Sequence, residues 1–383
     1  MGCNASKADD GGKDLGSKSN KQNSPKQQQQ QHQSKKPESA TPTSKQSTEI
    51  PITPDENEDD DPDVKMLLLG SGECGKSTIW RQLKLLYCGG FQKEEREDMT
   101  QVVRLNLISD IKQLVEVVQS SGQSVADDLQ SYVEDITELE TEEDLTKDAA
   151  REIKAVWEDP ALKTTYQQNN SIGLGDNASF FLDSSERIAE QGYLPTNEDL
   201  LKSRIRTTGI SSIHFKIDNK VRTLLVDVGG QKCERAKWTK CFQGVQYVLF
   251  VVSLSDFDQF MFEDDTVPRT KDSLELFQNV ANSPVFATKP IFLILNKKDV
   301  FEHKIKDHPN QFRETYPDFS GDTSNVDQCI NHVKQCFLNK LLPDRNKDVA
   351  WVESITTCAM DDNSIRKLFQ DISRKILSSQ NQK

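Results

Sequence analysis

The chain has 383 residues, room for two domains or for one domain carrying a large insertion. Its 61 Asp and Glu outweigh 48 Lys and Arg, and the net charge of −13 argues against nucleic acid as a partner. Eight cysteines without a CxxC pair or regular spacing read as reduced thiols in a cytosolic setting, and neither a membrane span of ~18–20 apolar residues nor the apolar core of a secretory signal is present.

Residues 1–63 are poor in apolar side chains and rich in Gln, Ser, Lys, Pro and Asp. Such a composition buries too little apolar surface to offset the entropy of ordering, so a disordered tail is expected there. Residues 64–69 (VKMLLL) form an apolar run ending at glycine, the pattern of a buried strand, and 78–87 follow as a helix. Helical spacing then covers 94–119, where Val102, Val103, Leu105, Leu107, Ile108, Ile111, Leu114, Val115 and Val118 form a stripe. Further helices are expected over 125–136 and 144–157. The block from about 90 to 200 has no strong strand signal and reads as all-helical.

Strand signals return at 212–217 and 221–226, with Asp218-Asn219-Lys220 between them as a hairpin turn. Runs at 247–252, 290–295 and 349–356 are three more strands. Helical patterns at 260–280, 326–339 and 364–377 alternate with them. That alternation predicts an α/β fold with a mostly parallel sheet.

Gly70-Ser71-Gly72-Glu73-Cys74-Gly75-Lys76-Ser77 fits G-x-x-x-x-G-K-[ST] between a strand and a helix that Thr78 continues. Glycines let the backbone wrap a phosphate, and the helix N-terminus adds positive potential. Lys76 can reach β- and γ-phosphates, and Ser77 can offer a hydroxyl to Mg²⁺. Asp227-Val228-Gly229-Gly230-Gln231 closes a strand. Asp227 there can hold Mg²⁺, Gly230 can bring its N–H to a γ-phosphate, and Gln231 can orient a water. Asn296-Lys297-Lys298-Asp299 follows another strand, where open sheets bind ligands. A carboxylate at Asp299 can accept both N1–H and the exocyclic amine of guanine, a donor pair that adenine lacks. Asn296 can bond a ring acceptor, and the Lys297 stem can cover the base.

These motifs, in this order, resemble the α subunits of heterotrimeric G proteins. DVGGQ followed by Glu234-Arg235 and Lys237-Trp238 is typical of that family. Leu201-Lys202-Ser203-Arg204-Ile205-Arg206-Thr207 resembles its first switch, and Thr357-Cys358-Ala359 its last base-contacting loop. The similarity runs from about Val64 to about Leu377. It implies a Ras-like P-loop GTPase domain over 64–88 and 202–383, interrupted by an all-helical inserted domain over 89–201. Lys76 and Thr207 stand 131 positions apart (207 − 76), a gap wide enough for that insertion. The resemblance implies GTP hydrolysis to GDP and phosphate. Arg204 is then the built-in arginine finger, Thr207 the second Mg²⁺ hydroxyl, and Asp176 part of a helical-domain stretch facing the nucleotide. Glu73 is placed to pair with Arg204. Arg206 stands where the family more often has lysine.

Met1-Gly2-Cys3-Asn4-Ala5-Ser6 fits M-G-x-x-x-[ST], which marks Gly2 for myristate and Cys3 beside it for palmitate. Two acyl chains hold a membrane stably where one does not. The implied partners are a βγ dimer, a seven-helix receptor and an effector, on the cytoplasmic face of the cell membrane. Four departures stand out. Cys74 replaces a usual serine and Met360 a common threonine. The tail is proline-interrupted and glutamine-rich where the family carries its βγ-gripping helix. The C-terminus lacks the apolar ending that contacts receptors. Two other readings are a GTP-binding scaffold with little turnover and an ATP-using P-loop enzyme. Arg204 with Gln231 opposes the first, and Asp299 opposes the second.

Overall fold

The computed structural model describes residues 49–55, 61–140, 145–168, 174, 176–261, 263–264, 266–345 and 348–380. Gly2 and Cys3, with residues 1–48 and 56–60 of the tail expected over 1–63, lie outside the described residues.

Among the described residues, seven strands form one sheet in the order β1-β3-β4-β2-β5-β6-β7. They are β1 Ile52–Pro54, β2 Val64–Leu69, β3 Ile210–Ile217, β4 Val221–Val228, β5 Tyr247–Ser253, β6 Ile291–Asn296 and β7 Val352–Thr356. β4, β2, β5, β6 and β7 run parallel, while β1 and β3 are antiparallel to their neighbours. Every residue of β5 and β6 is buried, as expected of central parallel strands covered on both faces. Asp218 and Asn219 take the left-handed conformation, and they turn the β3–β4 hairpin as the sequence indicates.

Among the described residues, thirteen α-helices accompany the sheet. α1 Lys76–Tyr87 follows the phosphate loop. Seven lie between it and β3: α2 Lys93–Ser120, α3 Gln130–Glu138, α4 Lys147–Trp157, α5 Pro160–Gln168, α6 Ala178–Asp183, α7 Ser185–Ile188 and α8 Asn197–Lys202. The remaining five are α9 Arg269–Ala281, α10 Lys298–Asp307, α11 Pro309–Thr315, α12 Val326–Leu338 and α13 Asp362–Gln380. Two apolar clusters sandwich the sheet, one with α9 and α12, the other with α1 and α13. A third cluster draws its buried residues from 103–189 alone, so the helical block has a core of its own. The α2 stripe supplies Val103, Leu107, Ile111, Leu114 and Val118 to it, each fully buried side chain contributing roughly 1.5–3 kcal/mol.

The structure departs from the sequence expectations in four places. Helix is expected from 260, but α9 begins at Arg269, because Pro268 lacks an N–H and keeps Val267 out of helical backbone. The helix expected over 125–136 starts instead as a 3₁₀ turn, Asp127–Leu129, before α3. The last strand begins at Val352 rather than 349. Most important, Ile52–Pro54 of the expected tail is a strand, antiparallel to β3 at the sheet edge. Gln370 of α13 holds the segment by bonding the Ile50 N–H (2.8 Å) and carbonyl (2.7 Å). Asp55, nearly buried, pairs with Lys216 at 2.9 Å.

Candidate functional site: a phosphate, cation and base cleft

Parallel register brings the motifs together. Leu68 is opposite Asp227, Leu69 opposite Phe250, and Ser253 opposite Asn296, so the loops after β2, β4 and β6 open at one carboxyl edge of the sheet. The loop after β7 joins them: Thr357 donates its N–H to Leu295 at 2.9 Å.

The phosphate loop turns on left-handed backbone at Glu73 and Gly75, and Gly75 is the N-cap of α1. A Cβ at Gly75 would strike the Asn296 amide. At Gly230 a Cβ would strike the Lys76 ammonium and stand 2.5 Å from the Ser71 carbonyl oxygen, so glycine there lets the two loops approach closely. Lys76 is buried, and its ammonium donates to the Ser71 carbonyl at 2.6 Å. Cys74 is fully buried with its Sγ 3.7 Å from Lys76 Nζ; burial pushes its thiol above the ordinary range, against the pull of Lys76. Thr78 is only partly buried on the first turn of α1.

Three hard oxygens meet beside this loop. The Ser77 hydroxyl donates to Asp227 Oδ2 at 2.7 Å and lies 2.6 Å from the Thr207 hydroxyl. Asp227 Oδ1 is buried without a hydrogen-bond partner. Burial pushes the Asp227 carboxyl above its ordinary range, opposed by Lys76. An orphaned carboxylate oxygen beside two hydroxyls fits a cation of the Mg²⁺ kind, which takes oxygen ligands and keeps several waters. Among the described residues no group of three or more His, Cys, Asp or Glu offers a metal site of another type.

Arg204 forms an ion pair with Glu73. Glu73 also meets Arg269 Nη1 at 2.9 Å. Burial alone would raise the Glu73 carboxyl, but Arg269, Arg204 and Lys297 together hold it below the usual range. Gln231 Oε1 is buried and unpartnered, and Gln231 lines a cleft with Ser71, Gly72, Glu73 and Arg269. Two residues singled out only as part of a family pattern hold this loop. Arg235 forks onto Asp272 (3.0 and 2.5 Å) and donates to the Gly230 carbonyl at 2.9 Å; the Trp238 indole donates to the Gly229 carbonyl at 2.7 Å.

On the base side, Asn296 lies between two loops. Its amide donates to the Cys74 carbonyl at 2.9 Å and its oxygen accepts from Ala359 N–H at 2.9 Å. It therefore ties the phosphate loop to the 357–359 loop. Lys297, with left-handed backbone, reaches Asp176 at 2.6 Å and so joins β6 to the helical block. Burial opposes the charge on both, yet their pairing raises Lys297 and lowers Asp176 from their ordinary values. The Cys358 thiol hydrogen-bonds Asp299, and burial with that carboxylate pushes it up to about 11.

The first-switch residues are not equivalent. Lys202 Nζ meets Glu198 at 2.7 Å and lies 3.8 Å over the Phe180 ring, committed within the helical block. Leu201 is the next-to-last residue of α8, and Ser203 caps that helix with its hydroxyl on the Leu200 carbonyl. Arg206 is exposed and donates to Cys233 Sγ at 2.7 Å, away from Glu73. Sequence reasoning missed Arg81, Asn106 and Arg269, which belong to no contiguous motif.

The family described as "G-protein alpha subunit" matches residues 34–376, which reaches upstream of Val64 into the expected tail. The chain is 37% identical over 280 residues to guanine nucleotide-binding protein subunit alpha-1 of Trichomonas vaginalis, covering 73% of this chain and 69% of that one. It is 33% identical over 326 residues to the alpha-17 subunit of Caenorhabditis elegans, covering 84% and 90%. It is 35% identical over 322 residues to the alpha-2 subunit of Dictyostelium discoideum, covering 81% and 87%. With its phosphate loop, oxygen cluster and base-side loops on one sheet edge, the chain belongs to the G-protein alpha subunit family.

Proposed function

We infer that this GTPase works as a self-contained molecular switch in signal transduction, with the chemistry assigned residue by residue as follows. The observation that carries the reading is the meeting of Ser77, Thr207 and Asp227 beside Lys76, with Arg204 and Gln231 at the same edge. Gly70 to Thr78 hold the phosphates, and Lys76 counters the charge on the β- and γ-oxygens. Ser77, Thr207 and Asp227 hold Mg²⁺, which when bound draws charge from the phosphate oxygens. Gln231 orients a water toward the γ-phosphorus. The water oxygen bonds to that phosphorus, its proton passes to a phosphate oxygen, the bond to the bridging oxygen breaks, and GDP leaves with the electron pair. Arg204 moves from Glu73 onto the γ-phosphate to meet the developing charge.

Asp299 selects guanine, with Cys358 and Ala359 beside the base and Asn296 holding the two loops together. Asp176 and Lys297 span the cleft, and Leu201 to Ser203 form its rim. Residues 64–88 and 202–383 act as the GTPase domain, and 89–201 as an inserted domain that covers the nucleotide. Thr207 and the loop after Gly230 sense the γ-phosphate and relax after hydrolysis. Lipids on Gly2 and Cys3 would keep the protein peripheral to the cytoplasmic face of the membrane; no described helix is long and apolar enough to cross one. A βγ dimer, a receptor and an effector are the proposed partners.

Competition for the purified full chain tests the nucleotide. Unlabelled GTP should displace a labelled GTP analogue at concentrations where equal ATP does not. Displacement by ATP at the same concentration contradicts the guanine assignment.

A further inference from the structure

The arginine finger is carried on irregular backbone, since residues 203–208 form neither helix nor strand. A group that must meet a transition state loses up to ~10²-fold in rate for a misplacement of about 1 Å, so something must fix this segment. Two side chains grip it from opposite sides. Arg81 lies one helical turn beyond Ser77 on α1 and is buried. Its Nη1 donates to the Leu200 carbonyl at 2.8 Å and to the Ser203 carbonyl at 2.9 Å, at the C-terminal end of α8, where carbonyls lack helical donors. Burial draws the Arg81 pKa down to about 10, with Asp227 opposing, so the group remains charged at neutral pH. Asn106 comes from α2. Its Oδ1 accepts the Arg204 N–H at 2.7 Å, and its Nδ2 donates to the Arg204 carbonyl at 2.9 Å. This reciprocal pair fixes both polar groups of the one residue whose side chain does the work.

We propose that Arg81 and Asn106 are positioning residues for Arg204, clamping its backbone between the phosphate-loop helix and the helical block. The clamp holds the Arg204 Cα in place while its side chain exchanges Glu73 for the γ-phosphate. The proposal rests on the reading of Arg204 as the finger.

Single-turnover hydrolysis of preloaded GTP by the full chain is the test. Asn106→Ala and Arg81→Met should each slow hydrolysis roughly tenfold, with binding of a non-hydrolysable GTP analogue within about twofold of wild type. Arg81→Lys, which keeps a donor for the carbonyls, should recover most of the rate. In an Arg204→Ala background, adding Asn106→Ala should cost nothing further, because residues acting through one another are not additive. A wild-type rate for Asn106→Ala, or a full extra loss in the Arg204→Ala background, overturns the proposal. An Arg81→Lys rate as low as that of Arg81→Met overturns the part played by Arg81. A wild-type rate for Arg204→Ala alone would instead bring down the finger itself. Should Arg81→Met fail to fold, the Asn106 cycle decides the matter.

Discussion

Asp110 interrupts the buried stripe of α2 one turn beyond Asn106. It is 9% exposed, and burial pushes its carboxyl up to about 7, with Arg204 opposing. The folded chain thus holds this proton more tightly than the unfolded chain, whose value is near ~4. Its contribution to stability is present below about pH 4 and is lost as pH rises toward about 7. Asp110→Asn removes that loss. The melting temperature of the variant should exceed wild type at pH 8 and converge on it at about pH 4. Parallel curves at the two pH values would contradict the assignment. The sequence gives a reader no warning here: an Asp in an amphipathic helix reads as a solvated face, and only the fold turns it inward. Motif residues were legible because their chemistry demands contiguity. Lys76 and Ser77 must follow Gly75 for one loop to serve phosphate and cation together. Arg81, Asn106 and Arg269 reach the site from separate helices, and no spacing rule marks them.

At the scale of elements, the central strands were readable because burial on both faces forces unbroken apolar runs. β1 was not readable. Pro51 and Pro54 flank two residues, Ile52 and Thr53, in a polar stretch, and prolines there look like breakers. At the edge of a sheet a proline removes no ladder bond, so the segment adds to β3 without penalty. What holds it is distant in sequence: Gln370 is 320 positions from Ile50. Losing two hydrogen bonds of about 0.5–1.5 kcal/mol each, Gln370→Ala should destabilise the chain by about 1–3 kcal/mol. The urea midpoint should fall with the slope of the transition unchanged. An unmoved midpoint would show that the strap contributes nothing. The late start of α9 has a local cause that the sequence did carry, in Pro268, although helical spacing on either side obscured it.

Over the whole molecule, one sheet edge gathers loops that are up to about 290 positions apart, and no single segment supplies the site. Glu73 and Lys297 carry it further, because each reaches a residue of the helical block or of the linker leaving it. On the proposed function, one chain therefore supplies phosphate loop, cation ligands, water-orienting amide and arginine. Phosphate release from a single loaded GTP, with Mg²⁺ present, tests it most directly. Wild type should release one phosphate per nucleotide and retain GDP. Gln231→Leu should bind GTP equally well and release phosphate on the order of 10²-fold more slowly. Equal rates for the two proteins, or no release from wild type, would contradict the account.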